Sequence, residues 1–160
     1  MNISKEIATE LEKSGWSLNR KIDTTEILNV LKEERYDLNP KVVEFIENFG
    51  NLELEHPAFR FVGEFEKMHF NPVIACSRIF REKIEEYEER TEENLVVIGE
   101  AYDGHFLLMI SHTGKIYGAY DAYLALLGNS IEEALHSIFH SRKAIEIDML
   151  DETDDMDDID

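Results

Sequence analysis

Positive charge is what this chain has least of. Sixteen Lys and Arg face 35 Asp and Glu, for a formal net charge of −19. Such a field repels nucleic acid and anionic membranes, and no basic patch with interleaved aromatics offsets it, which argues against nucleic-acid or membrane binding. Cysteine is nearly absent. The single Cys76 excludes an internal disulfide and any multi-cysteine metal site, and in Val73-Ile74-Ala75-Cys76 it reads as a small buried hydrophobe. No apolar run is long enough to span a bilayer. The opening residues, Met1 to Glu6, lack the apolar stretch of a signal peptide, so a cytoplasmic protein is expected. No glycine-rich phosphate loop is present; Gly104 and Gly114 sit where hairpin turns need positive φ.

What remains is ordinary globular material. Apolar residues make up 43% of 160 residues, enough for one domain with a real core. Ser4 predicts a capped helix carrying Ile7 and Leu11 and stopped by Gly15, with Trp16 at its exit. Asp23, with Glu26 as a capping-box partner, predicts a second helix with Ile27, Leu28 and Leu31 inside. Asn39-Pro40 opens a third, buried through Val42, Phe45, Ile46 and Phe49 and ended by Gly50. Leu52 and Leu54 alternate with Glu53 and Glu55, and Phe59, Phe61 and Phe65 extend that period of two, predicting strands with one wet face. Asn71-Pro72 predicts one helix running to about Arg90. Leu95 to Ile98, His105 to Ser111 and Ile116 to Tyr120 predict a meander. Ser130 with Glu133 opens a last helix carrying Ile131, Ala134, Leu135 and Ile138. The fold expected is α+β, a central antiparallel sheet with flanking helices over residues 1–147. Residues 148–160 hold seven Asp and Glu152, which predicts a disordered acidic C-terminal tail.

No catalytic constellation stands out, so no enzyme, cofactor or metal is expected. Ser111, His112 and Asp121 suggest a triad, but strand neighbours point to opposite faces and no nucleophile-elbow pattern frames Ser111. Glu132, His136 and His140 share one helix face at metal-ligand spacing. No Glu follows the first His as in a metalloprotease helix, and a real site also needs ligands from elsewhere. The run from Glu82 to Glu93 reads as a solvated helix end with pairs such as Glu86 to Arg90.

Several motifs, in order, resemble the SUKH superfamily and its third subgroup of bacterial immunity proteins. They are Gly15-Trp16 followed by Arg20, Phe49-Gly50-Asn51-Leu52, His69-Phe70-Asn71-Pro72 with Ala75, Ile98-Gly99-Glu100-Ala101, Gly114-Lys115-Ile116-Tyr117, and Leu127-Gly128-Asn129-Ser130 with Glu133-Ala134-Leu135. Asn51 stands where a second glycine is usual, Val97 where proline is common, and His140 near a usual glycine. The resemblance implies an immunity protein that binds and neutralises a cognate protein toxin, often a nuclease or deaminase. It leaves a second reading, a regulatory scaffold of the kind found among the family's eukaryotic cell-wall regulators, and a third, a small hydrolase using His136 and His140.

The charge agrees with the first reading, because an acidic protein complements a basic cleft built for phosphates. The partner expected is therefore a toxin with a basic surface, met by Glu53, Glu55, Glu100, Asp103 and Asp121 on or beside the wet face of the sheet. The oligomeric state has no signal in the sequence.

Overall fold

A computed structural model describes residues 3–58, 61–140 and 144–150. The first helix, α1 (Lys5–Glu12), starts where Ser4 Oγ accepts the Ile7 N–H at 3.3 Å. It ends at Gly15, held at φ +98°, with the Trp16 N–H donating back to the Leu11 carbonyl. The second, α2 (Thr25–Glu33), departs from the expected capping box. It begins at Thr25, so Glu26 occupies the second helical position instead of the third. Asp23 instead accepts the Thr25 N–H and hydroxyl at 3.0 and 2.7 Å. The third, α3 (Pro40–Phe49), is capped by Asn39 on the Val42 N–H, with Pro40 in its first turn. Trp16 stacks on Phe49 and Phe45 on Phe49, at 6.0 and 5.1 Å, which ties the exit of α1 to α3. Arg20 donates to the Asn48 and Gly50 carbonyls and so closes the C-terminal end of α3.

Among the described residues, seven antiparallel strands follow, each paired with its sequence neighbour: β1 (Glu53–Pro57), β2 (Phe65–His69), β3 (Leu95–Ala101), β4 (Phe106–Ser111), β5 (Ile116–Tyr120), β6 (Tyr123–Gly128) and β7 (Ile145–Glu146). Between β2 and β3 lie α4 (Pro72–Cys76) and α5 (Arg81–Thr91), and between β6 and β7 lies α6 (Ile131–Phe139). The α+β architecture is therefore as the sequence predicts. A single core holds Trp16, Phe45, Phe49, Ile98, Leu107, Ile116, Leu127 and Leu135. Cys76 lies in it, and burial pushes its thiol up to about 12. The last helix touches both β6 and β1. Flat, five strand spacings would set those strands ~24 Å apart, about twice a helix diameter, so the sheet curls around α6.

Three local expectations fail. The helix from Asn71 toward Arg90 is two helices, broken over Ser77 to Phe80. A continuous helix would put Cys76, Phe80, Ile84 and Tyr87 on one stripe, yet Phe80 is exposed while the other three are buried. The wet face is also narrower than expected. Side chains of β3 are buried throughout and those of β4 and β5 nearly so, because a curled sheet wrapped in helices has both faces of its middle covered. Among the described residues, only the β1–β2 hairpin keeps the alternation. Finally, Phe61 lies in the β1–β2 loop and, like Phe65, is exposed; Phe59 falls outside the described residues, as do positions 151–160 of the expected tail.

Candidate partner-binding site

Alternation along β1 turns Leu54 and His56 inward and Glu53 and Glu55 outward. The register sets Glu53 opposite His69, Glu55 opposite Lys67, and Pro57 opposite Phe65, so these six share the outer face of the hairpin. His69 in turn pairs with Glu100 of β3. A 3-10 turn, Tyr102–Gly104, then brings in Asp103 at φ +56°, whose Oδ1 accepts the Lys67 N–H at 2.7 Å. Ile74 and Arg78 line the same hollow, together with Glu10 of α1 and Lys13 and Ser14 just after that helix. Together they outline an open groove of about 850 Å³.

The groove has an acidic rim and a built base. Glu53, Glu55 and Asp103 are exposed on the rim. Glu100 lies beneath, only 4% exposed. Its Oε1 meets His69 Nε2 at 2.9 Å and Arg78 at 3.3 Å. The Asn71 N–H donates to His69 Nδ1 at 3.0 Å, so the His69 proton sits on Nε2 and is donated to Glu100. Glu100 therefore anchors the β2–β3 seam; it is not the freely projecting carboxylate the sequence suggested. Asp121 stands apart, exposed on the β5–β6 turn and outside the groove lining. There its carbonyl accepts the Tyr87 hydroxyl at 2.6 Å.

The SUKH-3 immunity protein family model matches residues 3–141. The chain belongs to this family. No curated protein and no solved structure matches it. Membership makes toxin immunity the function class of this SUKH-3 chain. Its motifs now have physical roles: Gly15-Trp16 and Arg20 lock α1 to α3, and Asn71 caps α4 on the Val73 and Ile74 N–H groups. Asn51, standing where glycine is usual, takes φ +66°, a conformation asparagine tolerates better than most residues. Among the described residues no helix is long and apolar enough to cross a membrane.

Sequence reasoning missed the apolar part of this SUKH-3 surface. Phe65 and Ile74 line the groove at 62% and 38% exposure, and Phe61 and Val62 are exposed on the loop that leads into β2. The only signal was Gly63, which breaks the alternation just before Phe65. A second acidic hollow, lined by Glu85, Glu88, Glu89, Glu92, Glu93, Asn94 and His112, is partly structural. Glu88 pairs with Arg81 at 2.9 Å and accepts the Leu95 N–H. Glu93 accepts the Thr113 and Tyr117 hydroxyls, both at 2.5 Å. Burial alone would raise the Glu93 carboxyl, but those hydroxyls, with Ser111 and Lys115, hold it below its ordinary value. The expected Glu86 to Arg90 pairing gives way to another: Arg90 donates to the carbonyls of Ala122, Ile147 and Asp148, fastening the last described segment to the β5–β6 turn. Ser111 Oγ is likewise engaged by Thr113 and the Lys115 N–H within its own turn.

Proposed function

We propose that this chain is a cytoplasmic antitoxin that neutralises a cognate polymorphic toxin acting on nucleic acid, by covering the toxin's basic active site without chemistry of its own. The observation that carries the reading is the coincidence on one face of an acidic rim, Glu53, Glu55 and Asp103, with exposed apolar anchors, Phe65 and Ile74. Interfaces draw affinity from a few desolvated aromatic anchors and orientation from the charges around them. Phosphate-binding clefts supply the complementary charge. Lys67, Arg78 and Lys13 also line the groove, so the acidic field there is concentrated on the β1 edge and the Asp103 turn.

The test is co-purification with the product of the adjacent reading frame, followed by binding kinetics of three variants. Glu53→Lys with Glu55→Lys should slow association and weaken protection of cells. Phe65→Ala should speed dissociation by ~10-fold or more, the range of an interface anchor. Asp121→Lys, remote from the groove, should change neither. Full binding by both groove variants would reject this face as the contact.

A further inference from the structure

We propose that this chain carries a site for a zinc-type divalent metal, built by Glu6 of α1 with His136 of α6 and His140 at the C-terminal cap of that helix. A metal site on the two histidines needs a ligand from another element. The fold supplies it. One ligand atom from each of these three side chains lies within 4.8 Å of the other two. His140 Nε2 already meets Glu6 Oε1 at 2.9 Å. The two imidazole rings, one helical turn apart, lie nearly parallel with centroids 5.4 Å apart. Metal bonds to nitrogen and oxygen of ~2.0–2.2 Å place tetrahedral ligand atoms roughly 3.3 Å apart, so small side-chain rotations convert the present spacing into coordination.

A second observation points the same way. His136 Nδ1 is shielded from solvent and has no hydrogen-bond partner. Its Nε2 lies 2.8 Å from Glu132 Oε1 and 3.3 Å from Ser4 Oγ. A carboxylate cannot donate, so the neutral ring carries its proton on Nε2, and Nδ1 is left as a buried lone pair with no donor. A carboxylate holding one ring nitrogen while the other is free is the arrangement that orients histidine toward a metal. The Ser4 N–H holds the other Glu132 oxygen at 2.8 Å. One carboxylate and two imidazoles suit a borderline cation such as Zn²⁺ over Mg²⁺, which prefers an all-oxygen shell. Three protein ligands leave one position open, and the bound ion would clamp the first helix to the last.

The test uses the full chain, stripped with chelator and then titrated with ZnCl2 or MgCl2 while thermal unfolding is followed. Zn²⁺ should raise the melting temperature and Mg²⁺ at the same concentration should not. Co²⁺ should give the visible absorption of a tetrahedral site. His140→Ala and Glu6→Gln alter exposed side chains and should fold normally by circular dichroism, yet lose the zinc-dependent shift and the cobalt spectrum. Glu132→Gln should weaken zinc ~10–100-fold while retaining the cobalt colour at saturation. An absent Zn²⁺ shift, or an equal shift in His140→Ala that assigns the zinc to surface carboxylates, would overturn the proposal.

Discussion

His56 follows the two outward glutamates on β1 and is completely buried. Its Nε2 accepts the Tyr102 N–H at 3.0 Å, so Nδ1 carries the proton and donates it to the Pro57 carbonyl at 2.9 Å. Burial pushes its pKa below the ordinary histidine value, although the Pro57 carbonyl, Glu66 and Asp103 pull the other way. The unfolded chain then binds the proton more readily than the folded one. Stability is therefore complete above about pH 6.5 and falls as pH drops below it. Urea midpoints measured from pH 8 to pH 5 should decline over that lower range, and the decline should be shallower in His56→Gln. Glu93 and Glu132 have lowered pKa values, the latter because Ser4 and His136 outweigh a burial effect that alone would raise it. Their contributions are present above about pH 4.5 and are lost only below it, so the two processes separate. His56 also holds the 3-10 turn that presents Asp103, and a sequence alone shows only a histidine among charges. Gly99 is the opposite case, a residue whose motif was visible and whose reason was not. A Cβ there would lie 2.0 Å from the His69 carbonyl oxygen, a backbone atom that cannot step aside. Gly99→Ala should cost about 3 kcal/mol or more by overpacking, and calorimetry should show it as a melting temperature lowered by several degrees.

At the scale of elements, the β1–β2 hairpin is lightly sewn to the rest. It meets β3 through one register pair, His69 with Glu100, whereas β3 and β4 share six. Amide exchange should accordingly be faster in Glu53–Pro57 and Phe65–His69 than in β3 to β5, and Glu100→Gln should widen the gap because His69 and Arg78 lose their charged partner. Legibility at this scale followed the chemistry. Ser4, Asn39, Asn71 and Ser130 each cap a helix, because capping is a local bond between neighbours in sequence. The break after Cys76 is tertiary. Helical spacing continues through Phe80, and only the packing of α4 and α5 on β3 ends it. Strand β7 is two residues long and exists through its pairing with β6, so no period could announce it. Phe61 and Phe65 kept the strand period yet face solvent, since alternation does not distinguish a core residue from a contact residue.

For the whole molecule, the charge of −19 acts on encounter before any contact forms. Association with a basic partner should slow steeply from low to high salt, as the Debye length shrinks from ~10 Å at 0.1 M to ~3 Å at 1 M, while dissociation changes little. Stopped-flow rates across that range would check it, and a flat on-rate would discard steering. Composition made this charge legible at once. Glu53, Glu55, Glu100 and Asp103 do converge on one groove. Burial of Glu100 and remoteness of Asp121 depend on how the sheet curls, which charge counting does not encode.

The order of the sheet also bears on how the protein is made. Each strand pairs with the one synthesised just before it, so pairing can follow the chain out of the ribosome without waiting for distant segments, a low contact order for a protein so rich in strands. The exception is α6, which must return to β1 and to Ser4 at the start of the chain. A nascent protein is thus a growing sheet with an open seam until about residue 140 emerges. The last helix acts as the latch, and a chain that stops short of it would leave β1, the acidic edge of the groove, without the helix that packs on it.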